Sequence, residues 1–223
     1  HVDPYDKNKI PFRKRMVSPQ MIPIKGYATF DPLKICWLGS GFKAEWFQDL
    51  PIYKNKNIMD PIKRIADETE EDYLALEKIL QDAGIETHRS FLDIDKVGSL
   101  KNILRPPVCP RDHFAVIGKK FYATTFGTAG YSDVLRKIDR KHMELDPSRV
   151  CISTAVICRV GKDIFWDVEE GTTPEQVAKY KNKWTEEGFR VHLSGRGYHS
   201  DGAFCVVKPG CIVSLNEVQD YKT

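Results

Sequence analysis

The residues best suited to chemistry in this chain are a histidine and two aspartates. His199 and Asp201 stand two positions apart, so in an extended segment both side chains point to the same side of the backbone. An imidazole exchanges protons near neutral pH, and a carboxylate can bind a guanidinium through two hydrogen bonds. Asp112, which follows Arg111, offers a second carboxylate. Two acids around one guanidinium would fix its plane and expose its central carbon to a nucleophile.

Each of these residues also has an ordinary structural interpretation. His199 could be a loop histidine bonded to the backbone, and Arg111 with Asp112 could form a structural ion pair. Their position in the sequence favours a site, because residues 110–112, 153–155 and 198–202 each come directly before an apolar, strand-like run. At the ends of strands, side chains can converge on a substrate without being buried by packing.

The strand-like runs belong to a pattern that repeats. Three times the chain reads strand, glycine turn, strand, around residues 114–124, 150–166 and 204–214, at a spacing of about 45 residues. A helix is predicted near residues 132–140 after the first hairpin, and another after the second, capped by Thr173 with Pro174 in its first turn. Such units stack to share a core, which favours a repeated α/β fold over an unrelated α+β domain. Because the last hairpin has no helix after it, we expect the array to be incomplete at Thr223.

The residues before the repeats divide into an arm and a first strand–helix–strand unit. Residues 1–23 mix basic residues with prolines and few large apolar side chains, which predicts a basic arm without a core of its own. From residue 24 to residue 223 we expect one domain. The apolar run at 33–39 predicts a buried strand. Asp60 before Pro61 predicts a helix N-cap, Gly84 predicts the end of that helix, and a short strand is predicted at 85–88.

Composition excludes several classes of function. Lys and Arg number 34 against 31 Asp and Glu, and a net charge of +3 is too small for a nucleic-acid footprint. No stretch of the sequence approaches a membrane span and no signal peptide opens it, so we expect a soluble, cytoplasmic protein without a membrane partner. The six cysteines lack metal-ligand spacing and sit mostly in apolar runs, which predicts reduced core thiols and no metal site. The oligomeric state is left open, a homodimer included.

Four stretches, taken as a set, resemble the glycine amidinotransferase branch of the guanidino-modifying (pentein) superfamily, which also contains arginine deiminases and dimethylarginine hydrolases. Residues 27–33 resemble its opening strand and Asp-Pro-Leu turn, and residues 110–118 resemble its Pro-Arg-Asp strand and glycine turn. Residues 159–165 are similar to its Arg-x-Gly-Arg-Asp-Ile-Phe hairpin. Residues 199–210 are similar to its His-x-Asp-x-x-Phe segment and Pro-Gly pair. The motifs occur in the family's order across residues 24–215.

The resemblance implies a pentein-type α/β propeller of repeated ββαβ units around a central site, here without its C-terminal part. It implies that a cysteine attacks the guanidino carbon of arginine or a related small molecule, giving a covalent amidino-enzyme from which an amine takes the amidino group. By matching position, His199 is the general acid and base, while Asp112 and Asp201 hold the guanidinium, with Arg111 beside them at the substrate. No cofactor is called for, because side chains carry the chemistry.

Two positions depart from the family pattern. The family's cysteine lies in a glycine-rich segment near its C-terminus, and no such segment occurs here, so we assign no nucleophile and expect it outside this chain. Ser153 stands where the family has the carboxylate that orients the histidine, and a hydroxyl cannot stabilise an imidazolium by charge. Either another acid substitutes or the activity is altered. A guanidine hydrolase of the same superfamily and a non-catalytic guanidine-binding relative therefore stay open as alternatives.

Overall fold

A computed structural model describes residues 20–47, 49–90, 107–124, 128–146, 150, 152–194 and 199–214. Most of the predicted basic arm, together with Cys151 and Tyr198, lies outside the described residues. In chain order the strands are β1 (Ile35–Leu38), β2 (Glu86–Arg89), β3 (Phe114–Ile117), β4 (Lys120–Thr124), β5 (Met143–Asp146), β6 (Ile157–Val160), β7 (Asp163–Asp167), β8 (Arg190–Ser194), β9 (Phe204–Lys208) and β10 (Cys211–Ser214). The α-helices are α1 (Lys56–Asp82), α2 (Ser132–Leu135), α3 (Pro174–Glu186) and α4 (Ser200–Ala203).

Two three-stranded sheets share one topology. In the sheets β3-β4-β5 and β6-β7-β8, an antiparallel hairpin is followed by a helical crossover and a third strand parallel to the second. Each sheet is thus a ββαβ unit, with α2 or α3 in its crossover. Strands β5 and β8 are not among the strands predicted from the sequence. The structure pairs β5 with β4 and β8 with β7, so that each completes a unit.

The remaining strands form two smaller sheets. β1 and β2 pair in parallel with α1 between them in the chain, and β9 and β10 form an antiparallel hairpin. Within the described ranges the strands therefore make four separate sheets that do not join into a ring. The predicted α/β class is confirmed, while closure into a propeller stays a prediction.

Helix α1 begins earlier than the sequence predicts. Asn55 is its N-cap, because its side chain accepts a hydrogen bond from the Asn57 N–H at 3.1 Å. Asp60 is therefore not the cap, and Pro61 lies inside the helix. Pro61 has no N–H to donate to the preceding turn, a loss that a helix tolerates best near its N-terminus. Gly84 follows the helix as predicted, with φ at 76°.

Helix α3 begins where Thr173 and Pro174 predict. The Thr173 hydroxyl accepts from the Gln176 N–H at 3.3 Å, and the Gln176 side-chain oxygen accepts from the Thr173 N–H at 2.8 Å. This reciprocal pair is a capping box, which satisfies two backbone donors at the helix start. The helix buries Tyr180 and Trp184.

The core is aromatic where the two ββαβ units meet. Trp166 of β7, Trp184 of α3 and Tyr122 of β4 belong to one buried cluster, and each is at most 1% exposed. The Trp184 indole N–H donates to the Tyr122 hydroxyl at 2.9 Å. Because Tyr122 and Trp184 belong to different units, this contact helps to fix one unit against the other.

The segment before β1 crosses three hairpins. Gly26 pairs with Gly118, in the turn between β3 and β4, through backbone hydrogen bonds of 2.9 and 2.8 Å. Ala28 pairs with the last residue of β6. The Thr29 hydroxyl donates to the Val206 carbonyl of β9 at 3.1 Å. These contacts lie away from the polar clusters, which come before the first strand of each hairpin.

Two predictions about burial are wrong in part. Only Leu38 is buried in β1, because a sheet of two strands has few neighbouring side chains to cover its faces. The five described cysteines carry free thiols, yet Cys109 and Cys205 are exposed and only Cys158 is buried. Cys109 comes before a turn, and Cys205 lies on the outward face of a hairpin, where little covers it. None of the helices in the described ranges is both long and apolar enough to cross a membrane.

Candidate functional site

The residues before β6 are bonded to the residues before and at the start of β3. Thr154 donates its backbone N–H at 2.9 Å and its hydroxyl at 2.8 Å to the Phe114 carbonyl. The Ala155 N–H donates to the Arg111 carbonyl at 3.2 Å. Two polar clusters that are far apart in the sequence are thus held side by side by main-chain hydrogen bonds.

The cluster before β9 joins at the same residue. The Ala155 carbonyl accepts from the Ser200 hydroxyl at 3.2 Å and from the Asp201 N–H at 3.4 Å. Ala155 therefore bonds to the first cluster through its N–H and to the third through its carbonyl. We call this junction of residues 110–112, 153–155 and 199–202 the strand-end site.

An ion pair crosses the strand-end site. The Arg111 guanidinium contacts the Asp201 carboxylate through Nη2 and Oδ2, with 50% of the arginine side chain and 28% of the aspartate side chain exposed. The sequence suggested Asp112 as a structural partner for Arg111, but the described ion pair runs to Asp201 instead. Because both side chains remain partly accessible, a solute can reach them.

His199 lies at the exposed N-terminal end of α4. Its backbone is extended, with φ at −62° and ψ at 115°, and its carbonyl accepts from the Gly202 N–H at 3.0 Å. Residues Ser200–Ala203 form a helical turn, so the prediction that His199 and Asp201 share an extended segment is wrong. A same-side placement of the two side chains does not follow from their spacing, because residues two apart in a helical turn do not face each other.

Asp112 lies in a 3₁₀ turn, Pro110–Asp112, directly before β3. Its carboxylate is close enough to Cys109 and Tyr73 to act on both. Burial raises the pKa of the Cys109 thiol, and the Asp112 charge raises it further. Burial also raises the pKa of Tyr73, whose hydroxyl donates to the Val108 carbonyl. Asp112 thus lies where the strand-end site meets the middle of α1.

Ser153 is fully buried at the base of the strand-end site. Its carbonyl accepts from the Val156 N–H at 3.3 Å and the Ile157 N–H at 3.0 Å, which forms the turn into β6. Ser153 is thus a buried member of the strand-end site, whereas His199 is exposed.

Two buried polar residues near the site are not predicted from the sequence. Asp167, at the end of β7, is fully buried, and its N–H donates to the Val156 carbonyl at 2.9 Å. Ser194, its register partner in β8, is also buried. A signal for Asp167 does exist in the sequence, because an acidic residue directly follows the alternating apolar residues Ile164 and Trp166. In the part of the chain that the structure describes, no three His, Cys, Asp or Glu residues are grouped to hold a metal ion.

The chain matches no protein-family model and no curated protein. Solved structures do match over most of its length. Inosamine-phosphate amidinotransferase from Streptomyces griseus aligns with a TM-score of 0.62 and 16% sequence identity, over 86% of this chain and 69% of that protein. An amidinotransferase from Microseira wollei, of the saxitoxin biosynthetic pathway, aligns with a TM-score of 0.62 and 18% identity, over 86% and 69%.

Dimethylarginine dimethylaminohydrolase is a further match. The Pseudomonas aeruginosa protein, solved in complex with citrulline, aligns with a TM-score of 0.54 and 11% identity, over 82% of this chain and 69% of that protein. The chain thus has the fold shared by these amidinotransferases and hydrolases. The resemblance drawn from the four sequence motifs is confirmed at the level of the fold.

Proposed function

We propose that this chain binds a guanidino compound at the strand-end site and belongs to an amidinotransferase-like enzyme. Asp201 and Asp112 hold the guanidinium, and His199 transfers protons. The observation that carries the proposal is the Arg111–Asp201 contact, in which a guanidinium pairs with the Asp201 carboxylate, two positions after His199 in the chain. Carboxylates bind guanidinium groups with charge-assisted, directional hydrogen bonds, so a substrate guanidinium can take the same place.

The proposed reaction transfers an amidino group in two steps. A cysteine thiolate forms a bond to the guanidino carbon, the bond from that carbon to the leaving nitrogen breaks, and the departing amine takes a proton from His199. An incoming amine then gives a proton to His199 as it attacks the same carbon, and the carbon–sulfur bond breaks to return the thiolate. Asp201 and Asp112 keep the positive charge of the amidino group in place throughout.

The thiol is not assigned to any cysteine that the structure describes. Burial raises the pKa of Cys36, Cys109 and Cys158, in the last case to about 11, so these three thiols stay protonated near neutral pH. The other two described cysteines, Cys205 and Cys211, lie within the β9–β10 hairpin. The resemblance to the amidinotransferases puts the nucleophile in a glycine-rich segment that does not occur in this sequence.

Two other functions remain as alternatives. A hydrolase differs from a transferase only in using water as the second acceptor, and both kinds of enzyme occur among the structures that share this fold. A non-catalytic guanidine-binding protein is favoured by one observation, the buried serine at position 153 where the family has an acid.

Binding of arginine tests the guanidine site. The purified chain is titrated by calorimetry with L-arginine and with L-citrulline, which replaces the guanidinium by a neutral urea group. We expect binding of arginine only, and a loss of at least about tenfold in Asp201→Asn, because a hydrogen-bonded charge is removed. Asp163→Asn is the matched control, since Asp163 pairs with Arg190 outside the strand-end site. Equal binding of citrulline, or full binding by Asp201→Asn, contradicts the proposal.

Product analysis separates the three functions. The natural gene product is incubated with labelled arginine, with and without glycine as acceptor. Ornithine with guanidinoacetate indicates a transferase, citrulline with ammonia indicates a hydrolase, and binding without turnover indicates a binder. His199→Ala should abolish turnover while preserving the folded state by circular dichroism. An unchanged rate in that variant would rule out the role assigned to His199.

A further inference from the structure

Asp167 is a buried carboxylate that takes no part in the two steps proposed for the reaction. It lies at the end of β7 and is fully buried, and no other Asp or Glu among the residues that the structure describes is buried to this extent. An aspartate is seldom fully buried unless its charge is paired or hydrogen-bonded, because its removal from water is costly. The surroundings of Asp167 must therefore compensate its charge.

The Asp167 side chain points to the face of β7 that is turned towards α4. Every second residue of this segment packs in or against the apolar core cluster, namely Ile164, Trp166 and Val168. Phe165 and Asp167 alternate with these residues and so point to the opposite face. The Phe165 ring packs edge-on against the ring of Phe204, with 5.9 Å between the centroids. Phe204 directly follows α4, and Cα atoms of α4 lie within 8 Å of Cα atoms of β7.

Main-chain hydrogen bonds join Asp167 to the strand-end site. The Asp167 N–H donates to the Val156 carbonyl at 2.9 Å, and the preceding carbonyl, that of Ala155, accepts from the Ser200 hydroxyl at 3.2 Å. Successive carbonyls of one turn thus bind the end of β7 and the start of α4. His199 is the N-cap of α4, so the buried carboxylate and the proposed acid and base are attached to the same turn.

Buried serine residues adjoin this carboxylate. Ser194 is its register partner in β8, and Ser153 accepts from the N–H of Val156, the same residue whose carbonyl accepts from Asp167. Hydroxyl groups can donate to a carboxylate and so help to keep it ionised away from water. Ser153 stands where the amidinotransferase pattern has an acid. An acid is therefore missing at position 153 and present on the neighbouring strand at position 167.

We propose that Asp167 takes the place of the acid that is missing at position 153. It is a positioning residue, whose negative charge beside the start of α4 favours the protonated form of the His199 imidazole. His199 gives its proton to the departing amine and recovers one from the incoming amine, while Asp167 stays ionised throughout. This inference rests on the proposed function, because it assigns a role in the proton transfer by His199.

Other charged and titratable groups face the same region. Asp163 and His192 lie further along β7 and β8 and bind each other at 2.8 Å. The others are Arg111 and Asp112 before β3, Cys158 in β6, Asp201 in α4 and Cys205 in β9. All of these groups are retained when Asp167 alone is changed, so a change in pH dependence reports the charge of Asp167.

The first test removes that charge. Asp167→Asn keeps the shape of the side chain, and in the natural gene product we expect kcat for arginine to fall by about tenfold or more. KM should change by less than about twofold, because the guanidinium is held by other carboxylates. The alkaline limb of the pH profile of kcat should move by about one unit to lower pH, since the imidazolium is no longer favoured. Asp163→Asn, which removes a charge from the same strand, is the control and should leave both unchanged.

A second test moves the acid and needs no turnover. In the unmodified chain, Ser153→Asp brings two carboxylates into one buried region, and we expect the urea midpoint to fall by about 1 M. In Asp167→Asn the same change should cost less than half as much, because only one charge is then buried. The double variant should also regain part of the kcat that Asp167→Asn loses. An equal cost in both backgrounds contradicts the placement of Asp167 beside position 153.

The outcomes separate this inference from the proposed function. If the unmodified protein turns over and needs His199, but Asp167→Asn has the same kcat or loses it equally at every pH, the proposed function stands and the inference fails. If the unmodified protein turns over no guanidine, the proposed catalysis fails and the inference falls with it. Asp167→Glu, which keeps the charge, covers an Asp167→Asn that does not fold. Its alkaline limb should stay in place even if the rate falls, and a limb that moves contradicts the inference.

Discussion

Removal of the Tyr122 hydroxyl tests how strongly the two ββαβ units are held together. This hydroxyl accepts the Trp184 indole N–H at 2.9 Å, in a cluster where Tyr122 is 1% exposed and Trp184 is fully buried. Burial raises the pKa of Tyr122 above its ordinary value, so the hydroxyl is neutral near neutral pH, where the unfolding is measured. Tyr122→Phe deletes one oxygen and changes the shape of the core very little.

The expected loss of stability has two parts. The hydrogen bond itself contributes about 1 kcal/mol, and the indole N–H that is left buried without a partner costs a further 1–3 kcal/mol or so. Partial relaxation brings the sum to about 2 kcal/mol. With a urea m-value of about 2 kcal/mol per molar for a chain of this size, the unfolding midpoint should fall by about 1 M.

The assay is urea unfolding followed by circular dichroism and tryptophan fluorescence. Trp184→Phe and the double variant complete a mutant cycle, in which we expect a coupling energy of about 1 kcal/mol between Tyr122 and Trp184. Tyr131→Phe is the matched control, because Tyr131 is 1% exposed and its hydroxyl has no hydrogen-bond partner among the described residues. That variant should be at least as stable as the unmodified chain. A Tyr122→Phe loss under about 0.5 kcal/mol, or zero coupling, refutes the reasoning.

Two further predictions concern acid stability and the segment before β1. Hydrogen bonds from Arg190 and then His192 lower the pKa of Asp163 to about 2, so its stabilisation is complete above pH ~4 and is lost as the pH falls through ~2. Because the Arg190 side chain is 69% exposed, solvent screening limits the stabilisation by this ion pair to about 1 kcal/mol. The difference in unfolding free energy between the unmodified chain and Asp163→Asn should therefore disappear as the pH falls from 5 to 2. A difference that is constant over this range would count against the pair. Gly26→Ala should cost about 1–3 kcal/mol in urea unfolding, because the new Cβ would lie 2.5 Å from Nη1 of Arg159, which a hydrogen bond to the Val116 carbonyl holds in place, and 3.1 Å from Cγ1 of Val116. Gly202→Ala, whose Cβ meets nothing within 4 Å, should be neutral, and equal losses in both would refute the steric argument.

Local signals in the sequence predict the hairpins and the start of α3. Gly118 and Gly161 adopt positive φ values of 59° and 65°, the backbone conformation that a tight turn between two strands requires. Thr173 and Pro174 mark a helix start through groups within one turn of each other. These features depend on neighbours in the chain, so a reading of the sequence finds them.

Features that depend on distant partners are harder to predict. β5 and β8 are short strands, and each pairs with a strand that lies on the other side of a helical crossover in the chain. The residues of a short strand do not show which distant strand it will pair with. The start of α1 was misplaced for a different reason. A proline is favoured in the first helical turn, and this preference pointed to Asp60, whereas the side chain of Asn55 caps the helix five residues earlier.

The strand-end site was predicted as a set of residues but not as a geometry. The sequence shows that polar clusters precede three strands, which is enough to predict that they converge. It does not show that Ala155 bonds to both other clusters, because those bonds use main-chain atoms that every residue has. Nor does it show that Arg111 reaches Asp201 rather than the adjacent Asp112, since that choice depends on how the units pack.

The proposed guanidinium binding and the proposed proton transfer make different demands on the strand-end site. Guanidinium binding needs an accessible carboxylate, and Asp201 already pairs with one guanidinium while 28% of its side chain is exposed. The proton transfer proposed for His199 needs a group that favours the imidazolium, and a serine hydroxyl such as that of Ser153 supplies no charge. A carboxylate at the position of Ser153 would be buried and would need hydrogen-bond or ionic partners to offset its desolvation. We therefore expect that Ser153→Asp alone does not supply a charged partner for the histidine. We therefore expect the chain to bind guanidines even if its turnover is slow. Removal of the Asp201 carboxylate should lower both the affinity and the rate.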